Sequence, residues 1–378
     1  MSNATIARPA WEKKLHADPA RSYTLPARYY TSAEIFEQER ELVFFHSWQY
    51  VGHVEDLPEV GSYLTCNVLD QNLFVTRGKD EKLRAFYNVC SHRAHELLRG
   101  AGKARVITCP YHAWSYHLDG ALRTARGSEN VDGFNKGEFC LKEVRLETFG
   151  PLIFVNLDPD AVPLAEQSGD LMAELRHHIP DLDRLTKAAT ASWVVEANWK
   201  VIVDNFLECY HCEPAHPAFA QLVDMDSYRS QTHGIYSTHV SRSGRPDNKA
   251  FKFDPKDDSQ VGAFWWLWPT TTINVSPGAS NMAMFYLKPL GPNRTLEITD
   301  YYFMSKELNE QQQARIDYAN DILTIEDNTL CESVQRGLHS RGYTQGRFIV
   351  DRERTQISEH AVHHFHQLVA TALDGATT

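Results

Sequence analysis

Two thiols and two imidazoles stand close together early in the chain, as Cys90-Ser91-His92 and, after a gap of sixteen residues, Cys109-Pro110-Tyr111-His112. They form a complete four-ligand set, and two metal chemistries use such a set. A structural zinc ion takes Cys2His2 in a tetrahedron. A [2Fe–2S] cluster can instead take two cysteines on one iron and two histidines on the other. Spacing favours the cluster, because each arm offers one thiolate and one imidazole, suited to two different metals. Zinc knuckles mostly chelate one ion with paired cysteines.

A second group lies in NWKVIVDNFLECYHCEPAHP. If a helix runs up to Pro214, Asp204, Glu208 and His211 fall at i, i+4 and i+7 on one face. His216, five residues past His211, then folds back toward the same ion. Two imidazoles and one carboxylate, with positions left open, suit non-haem Fe(II). Cys209 and Cys212 form a C-x-x-C, read here as small packing residues rather than a redox pair. His177, His178, His363, His364 and His366 lie on polar helical stretches and are expected to face solvent.

These groups need scaffolds of two kinds. TSAEIFEQERELVFF (31–45) has helical spacing, with Thr31 or Ser32 as N-cap and Glu34 placed for a capping box. From Trp48 to about Leu157, short β-prone runs (GSYLTCNVL, NLFVTR, LRAFYNV, ARVITC, WSYHL, PLIFVNL) alternate with Gly, Asp and Lys turns, so both arms of the first group leave strands. Helical signals return in LAEQSGDLMAELRHHI and ANWKVIVDNFLECYHC. The runs TTTINV, NMAMFYLKPL and TLEITDYYF then suggest an antiparallel sheet, followed by long helices over about 309–338 and 359–373. The expected architecture is α+β in three parts: an N-terminal helical segment (1–45) packing with the last, an all-β domain (46–158), and a sheet with long helices (159–378).

NVCSHRAHELLRGAG…ITCPYHAWSYHLDGAL resembles the Rieske [2Fe-2S] domain of the Rieske non-haem iron oxygenases, with Trp114, Tyr116 and the Asp119-Gly120 turn also matching. Many members carry Gly where this chain has Ala94, so the backbone there is expected to avoid a glycine-only conformation. The resemblance covers nearly the whole chain, from ARYYTSAEIFEQERELVFFHSWQYVGHVEDLPEVGSY onward. It implies a Rieske domain inserted near the N-terminus of a helix-grip catalytic domain, and a terminal oxygenase with two cofactors: the cluster on Cys90, His92, Cys109 and His112, and a mononuclear Fe(II). By the match His211 and His216 are iron ligands, and Glu208 is the carboxylate that links this iron to the cluster of a neighbouring subunit. The third ligand is an acid on a late helix, here Asp327 of IEDNTLCESVQRGL, chosen over Glu326 and Glu332. Electrons then come one at a time from a separate NAD(P)H-dependent flavin/iron–sulfur reductase and cross between subunits, which implies a homotrimer or stacked trimers. No G-x-G-x-x-G fingerprint follows a strand, so the nicotinamide binds elsewhere.

Glu rather than Asp at the bridge resembles the subgroup acting on quaternary ammonium compounds such as carnitine, choline and betaines. The run Phe264-Trp265-Trp266-Leu267-Trp268-Pro269 fits that subgroup, since aromatic faces hold a cation that has no N–H. Trp265, Trp266, Trp268 and Tyr210 are the expected substrate contacts, with Tyr301 a further candidate. The expected reaction is hydroxylation beside the quaternary nitrogen, leading to N-demethylation or C–N cleavage. The alternative is a hydroxylase, dioxygenase or O-demethylase of a small aromatic acid, with Arg242 or Arg245 clamping the carboxylate. A bare iron–sulfur electron carrier would use the first group alone and leave His211, His216 and Asp327 unexplained. Lys+Arg 38 against Asp+Glu 49 gives a net charge of −11, which argues against nucleic acid or an anionic membrane surface as partner. The start lacks a signal peptide's apolar core, and the seven cysteines are odd in number, so a cytoplasmic protein with reduced or metal-bound sulfur is expected.

Overall fold

We describe a computed structural model of the chain over residues 12–257 and 259–374. The first eleven residues of the expected N-terminal segment lie outside the described residues. The chain divides into two compact units, Phe44–Leu164 and, together, Met1–Val43 with Ala165–Thr378.

The Phe44–Leu164 unit is built of short strands. β1 (Gln49–His53), β2 (Ser62–Val68), β3 (Gln71–Arg77), β4 (Leu83–Tyr87), β5 (Ala101–Lys103), β9 (Glu143–Phe149) and β10 (Leu152–Asn156) form one antiparallel sheet in the order β1-β10-β9-β4-β3-β2-β5. β6 (Ile107–Thr108), β7 (Ser115–Tyr116) and β8 (Leu122–Thr124) form a three-stranded sheet of their own. Phe74, Phe86, Ile107, Trp114, Tyr116 and Leu141 fill the core between them. Gly120 takes φ 84° in the turn after Asp119, and a side chain there would meet the Phe86 ring at 2.5 Å, so only glycine fits.

The second unit centres on a seven-stranded antiparallel sheet. Its strands are β11 (Thr186–Val195), β12 (Arg229–His233), β13 (Tyr236–Arg242), β14 (Val261–Leu267), β15 (Thr271–Val275), β16 (Asn281–Gly291) and β17 (Arg294–Phe303), in the order β11-β17-β16-β15-β14-β13-β12. Helices Trp199–Phe206, Thr324–Leu338 and His360–Asp374 accompany it. The expected 309–338 helix forms as Glu310–Tyr318 and Thr324–Leu338 joined by a single π turn at Ala319–Leu323. Asn309 caps its start in a capping box with Gln312.

The N-terminal helix is Ala33–Leu42, capped by Ser32, whose hydroxyl accepts from the Ile35 N–H. Glu34 is therefore one position short of a capping box. Glu39 from this helix is fully buried, where it accepts from Lys200 Nζ (2.5 Å) and Trp199 Nε1 (2.9 Å). Lys200→Met is expected to cost about 3–5 kcal/mol in urea unfolding, because Glu39 would be left charged and unpaired in the core. Replacing both residues by methionine should recover most of that loss.

His177 is exposed as expected, but the histidines of the last helix correct the solvent-facing expectation. His363 and His366 are buried, at 4% and 1% exposure. His363 bonds the His16 carbonyl at 2.8 Å, and His364 meets the Gly234 carbonyl at 3.1 Å. Their helix turns an apolar face inward, and each ring finds a tertiary partner there. Among the described residues, no helix is long and apolar enough to cross a membrane.

Candidate metal centres and substrate cavity

The two arms of the first group are matching loops, one after β4 and one between β6 and β7. In each, the residue four after the cysteine donates its N–H back to that cysteine's carbonyl, Ala94 to Cys90 and Ala113 to Cys109, both at 3.0 Å. Both alanines take left-handed backbone, with φ 55° and 58°. Ala94 thus adopts the conformation it was expected to avoid, because the turn that aims the ligands requires it. Ala94→Gly should relieve about 1–2 kcal/mol of left-handed cost and forfeit about 0.4–1 in chain entropy. A net gain of roughly 0.5–1 kcal/mol in urea unfolding is expected.

The turns put the thiols inside and the imidazoles outside. Cys90 and Cys109 are 3% and 2% exposed, whereas His92 is exposed and His112 half-buried. The Tyr116 hydroxyl lies 3.2 Å from Cys90 Sγ, and Trp114 stacks on the His92 ring at 4.7 Å. The His92 and His112 rings pack edge to face, also at 4.7 Å. Among the described residues, only His211, His216 and Asp327 bring three or more such ligand atoms within 4.8 Å of one another. The cysteine–histidine four do not gather around a single ion. Thiols on one side with imidazoles on the other suit a two-iron cluster.

The second centre departs from the expected helix. That helix stops at Phe206, and Pro214 lies inside a separate one-turn helix, Cys212–Ala215, in whose first turn proline is tolerated. His211 and His216 flank this turn at its two ends. Asp204, still on the first helix, points elsewhere: its carboxylate accepts from the Tyr30 hydroxyl (2.7 Å) and His366 Nε2 (2.9 Å). It is a structural acceptor, not part of the centre. Cys209 and Cys212, expected as reduced packing residues, are instead joined as a disulfide, because the loop between the two helices brings their Cα atoms to 4.9 Å; the other five cysteines are free.

His216 Nε2 lies 2.9 Å and His211 Nε2 3.5 Å from Asp327 Oδ1. Both Nδ1 atoms turn outward onto carboxylates, His211 to Glu208 Oε1 (2.5 Å) and His216 to Glu326 Oε2 (2.7 Å). This is the outer arrangement that fixes a ligating imidazole's tautomer and leaves its Nε2 for a metal. Glu326 thus holds His216 from behind, and Glu332 accepts from the Glu196 N–H. Glu208 also accepts from the backbone N–H groups of Tyr210 and His211, which locks the loop. The Asn198 N–H donates to Gln335 Oε1 at 2.9 Å, tying the helix that carries Asp327 to the start of the one that leads into His211.

Burial opposes charge on these groups, yet Asp327 and Glu208 raise His211 to about 10, and Asp327 is held below its ordinary value by both imidazoles. Two imidazole Nε2 atoms and a carboxylate oxygen converging on one point are a donor set that fits a divalent metal, which competes with protons for the same imidazoles. Metal uptake must displace a proton. Affinity of the stripped protein for Fe(II) is expected to rise up to about tenfold per pH unit between about pH 6 and 9, measured by competition with a chelator.

A cavity of about 220 Å³ opens beside this centre. Its floor is a row of side chains across the sheet, Phe264, Asn274, Ala283 and Tyr301, set side by side by the strand register. Phe206, Tyr228, Phe285, Glu297 and Arg315 add to its walls. The Tyr228 hydroxyl meets buried His239 Nδ1 at 2.9 Å. Glu297 is 2% exposed and pushed up to about 8 by burial, with Oε2 unpartnered.

The tryptophan run is not among the walls. Trp265 stands opposite Thr238 on the other face of the sheet and donates Nε1 to Glu174 (3.0 Å). Trp266 donates to the Pro269 carbonyl and packs on Phe365, against which Trp268 also lies. Only Phe264 of that run lines the cavity: alternation sends Trp265 to the other face, and Trp266, on Phe264's face, packs on Phe365 instead. Tyr210 is 50% exposed and also outside the cavity, and Arg242 pairs with Asp224. Glu297 and Arg315 escaped the sequence reading, as did the parts played by Phe264, noted only within the aromatic run, and Glu326, weighed only as a ligand; alternation along LEITDYYF was the signal that could have marked Glu297 with Tyr301.

Residues 47–135 match the family described as Rieske [2Fe-2S] domain, and residues 182–375 match the ring hydroxylating alpha subunit (catalytic domain). The chain belongs to the Rieske non-haem iron oxygenases, as an oxygenase (alpha) subunit carrying a Rieske cluster and a mononuclear iron. It is 43% identical to the carnitine monooxygenase oxygenase subunit of Escherichia coli (strain K12), over 94% of this chain and 95% of that one. It is 32% identical to the chloroplastic choline monooxygenase of Beta vulgaris, over 92% and 76%. Among solved structures, a quaternary ammonium Rieske monooxygenase in complex with L-carnitine superposes with a TM-score of 0.86 at 40% identity, covering 94% of this chain and 97% of that one.

Proposed function

We propose that the chain is the terminal oxygenase of a two-component monooxygenase, hydroxylating a small quaternary ammonium compound beside its nitrogen. The observation that carries this reading is the cavity: aromatic rings of Phe206, Tyr228, Phe264 and Phe285 surround a space into which Glu297 presents a buried, unpartnered carboxyl oxygen. A cation without N–H groups is held by ring faces and a nearby acid, not by hydrogen-bond acceptors in a fixed array. The relatives named for carnitine and choline point the same way.

When bound, the Rieske cluster relays single electrons and the mononuclear iron activates O2. The chain's own part is to hold and orient. His211, His216 and Asp327 are the iron ligands in this reading, and Cys90, Cys109, His92 and His112 hold the cluster. His92 is exposed, so the cluster these residues would hold would have its histidine side toward solvent. One oxygen atom is inserted into C–H and the other leaves as water, consuming two electrons and two protons from the reductase and solvent. On an N-methyl group the product sheds formaldehyde; on the chain carbon bonded to nitrogen it releases the amine.

A separate NAD(P)H-dependent reductase and a homotrimer, in which Glu208 faces a neighbouring subunit's cluster, belong to the same reading, as does cytoplasmic residence beside the NAD(P)H supply. Sedimentation of an active monomer would remove the cross-subunit part. The test of function is O2 uptake with formaldehyde and amine release over a panel of betaines, choline, carnitine and substituted benzoates. Coupled turnover with ammonium compounds is expected; coupling only with benzoates would overturn the reading.

A further inference from the structure

Among the described residues, Arg315 is a charged side chain with no charged partner. It is 8% exposed and lines the cavity wall. Its guanidinium carbon lies 5.9 Å from the Phe251 ring centre and 5.7 Å from that of Phe303. Among the described residues no carboxylate forms an ion pair with it, unlike the buried Lys200, which has Glu39. Burial lowers it to about 10, so it remains a cation at neutral pH. A buried cation left unpaired is strongly unfavourable, and structures retain one where an anion arrives to complete it. The Phe251 and Phe303 rings flank the guanidinium, and at the cavity wall its planar fork of donors suits a bidentate acceptor.

The position of Arg315 sets what that acceptor is attached to. Glu297, Thr299 and Tyr301 alternate onto the cavity face of β17. Arg315 lies by Tyr301 and Phe303, whereas Glu297 neighbours Asn328 and Asp327. Glu297 and Tyr301 are four residues apart on one strand, roughly 13 Å. The cavity therefore has the Glu297 carboxyl at its metal-ligand end and a cation, Arg315, at the other. A ligand matching both carries a positive group near the iron and a negative group several bonds away.

We propose that Arg315 is the carboxylate anchor of the cavity, making the preferred substrates zwitterionic trimethylammonio carboxylates with a spacer of a few carbons, in preference to amino alcohols such as choline. The proposal rests on the quaternary ammonium reading and narrows it. It gives Arg315 a positioning role: it sets which carbon faces the iron without touching the reacting bond.

The test is titration calorimetry on the iron-loaded protein with γ-butyrobetaine and with choline, for the wild type, Arg315→Met and Arg315→Lys, with the cluster's visible spectrum as the check on folding. The wild type should bind γ-butyrobetaine more tightly than choline. Arg315→Met should collapse the ratio of the two dissociation constants by about 10–100-fold, the loss expected for a charged hydrogen-bonded pair. Arg315→Lys should restore part of it, and in turnover the loss should fall on KM for γ-butyrobetaine more than on kcat. An unchanged ratio in folded Arg315→Met, a ratio no higher in Arg315→Lys than in Arg315→Met, or a wild type that binds choline equally well, overturns the anchor and leaves the ammonium reading standing. If instead the wild type binds benzoate and neither ammonium compound, and Arg315→Met abolishes that binding, the anchor stands and the ammonium reading falls.

Discussion

Replacing Asp327 by alanine is expected to empty the catalytic unit of iron while leaving the Rieske cluster's colour intact. Iron should fall from about three to about two per chain, and oxygenation should vanish with it. The reason is geometric: Asp327 Oδ1 is the atom on which both imidazole Nε2 atoms converge, at 2.9 and 3.5 Å. Removing it leaves two neutral ligands for a hard divalent ion. The neighbouring acid makes the control. Glu326 bonds His216 Nδ1 from behind, so Glu326→Ala should weaken iron binding by about 10–100-fold without preventing loading at high Fe(II). Iron analysis of the two variants, reversed in order, would exchange their roles.

The second large effect is expected at Glu208. Glu208→Gln, loaded at high Fe(II), should keep three irons and lose turnover by at least about 10–100-fold. The carboxylate accepts from His211 Nδ1 and from two backbone N–H groups, so every neighbour it has is a donor. Glutamine brings an NH2 into that ring of donors and must break part of it, tilting the imidazole that binds iron. Reduction of the cluster by dithionite should proceed normally, while reoxidation by O2 and substrate slows. Normal single-turnover reoxidation would show that Glu208 only braces the loop and carries no electrons.

Much of this site was legible before any coordinates because metal ligation demands particular side chains at particular spacings. Cys90, His92, Cys109 and His112 are recognisable since few other purposes place thiol and imidazole so close together. The hinge at Phe206 was not legible. VIVDNFLECYHC carries helical periodicity, and only tertiary bonds, including the Cys209 N–H to the Gln356 carbonyl, make it break there. The aromatic run misled for a related reason. Period-two alternation says that adjacent tryptophans face opposite ways, but not which face the cavity takes, and Glu174 on a distant helix satisfies Trp265. Arg315 escaped because a single arginine on an amphipathic helix looks like solvated surface until its partners are counted.

The π turn at Ala319–Leu323 acts as a phase corrector. Twelve residues separate Arg315 from Asp327, and an unbroken α-helix turning about 100° per residue would set them about 120° apart. One residue absorbed by the wider turn removes about 100° of that difference and brings the two onto nearly the same meridian. Deleting any one residue of that turn would leave both halves helical yet rotate the substrate-orienting half away from the metal-binding half. Within this one rod, the choice of substrate and the capacity for oxidation are therefore separable by a single codon.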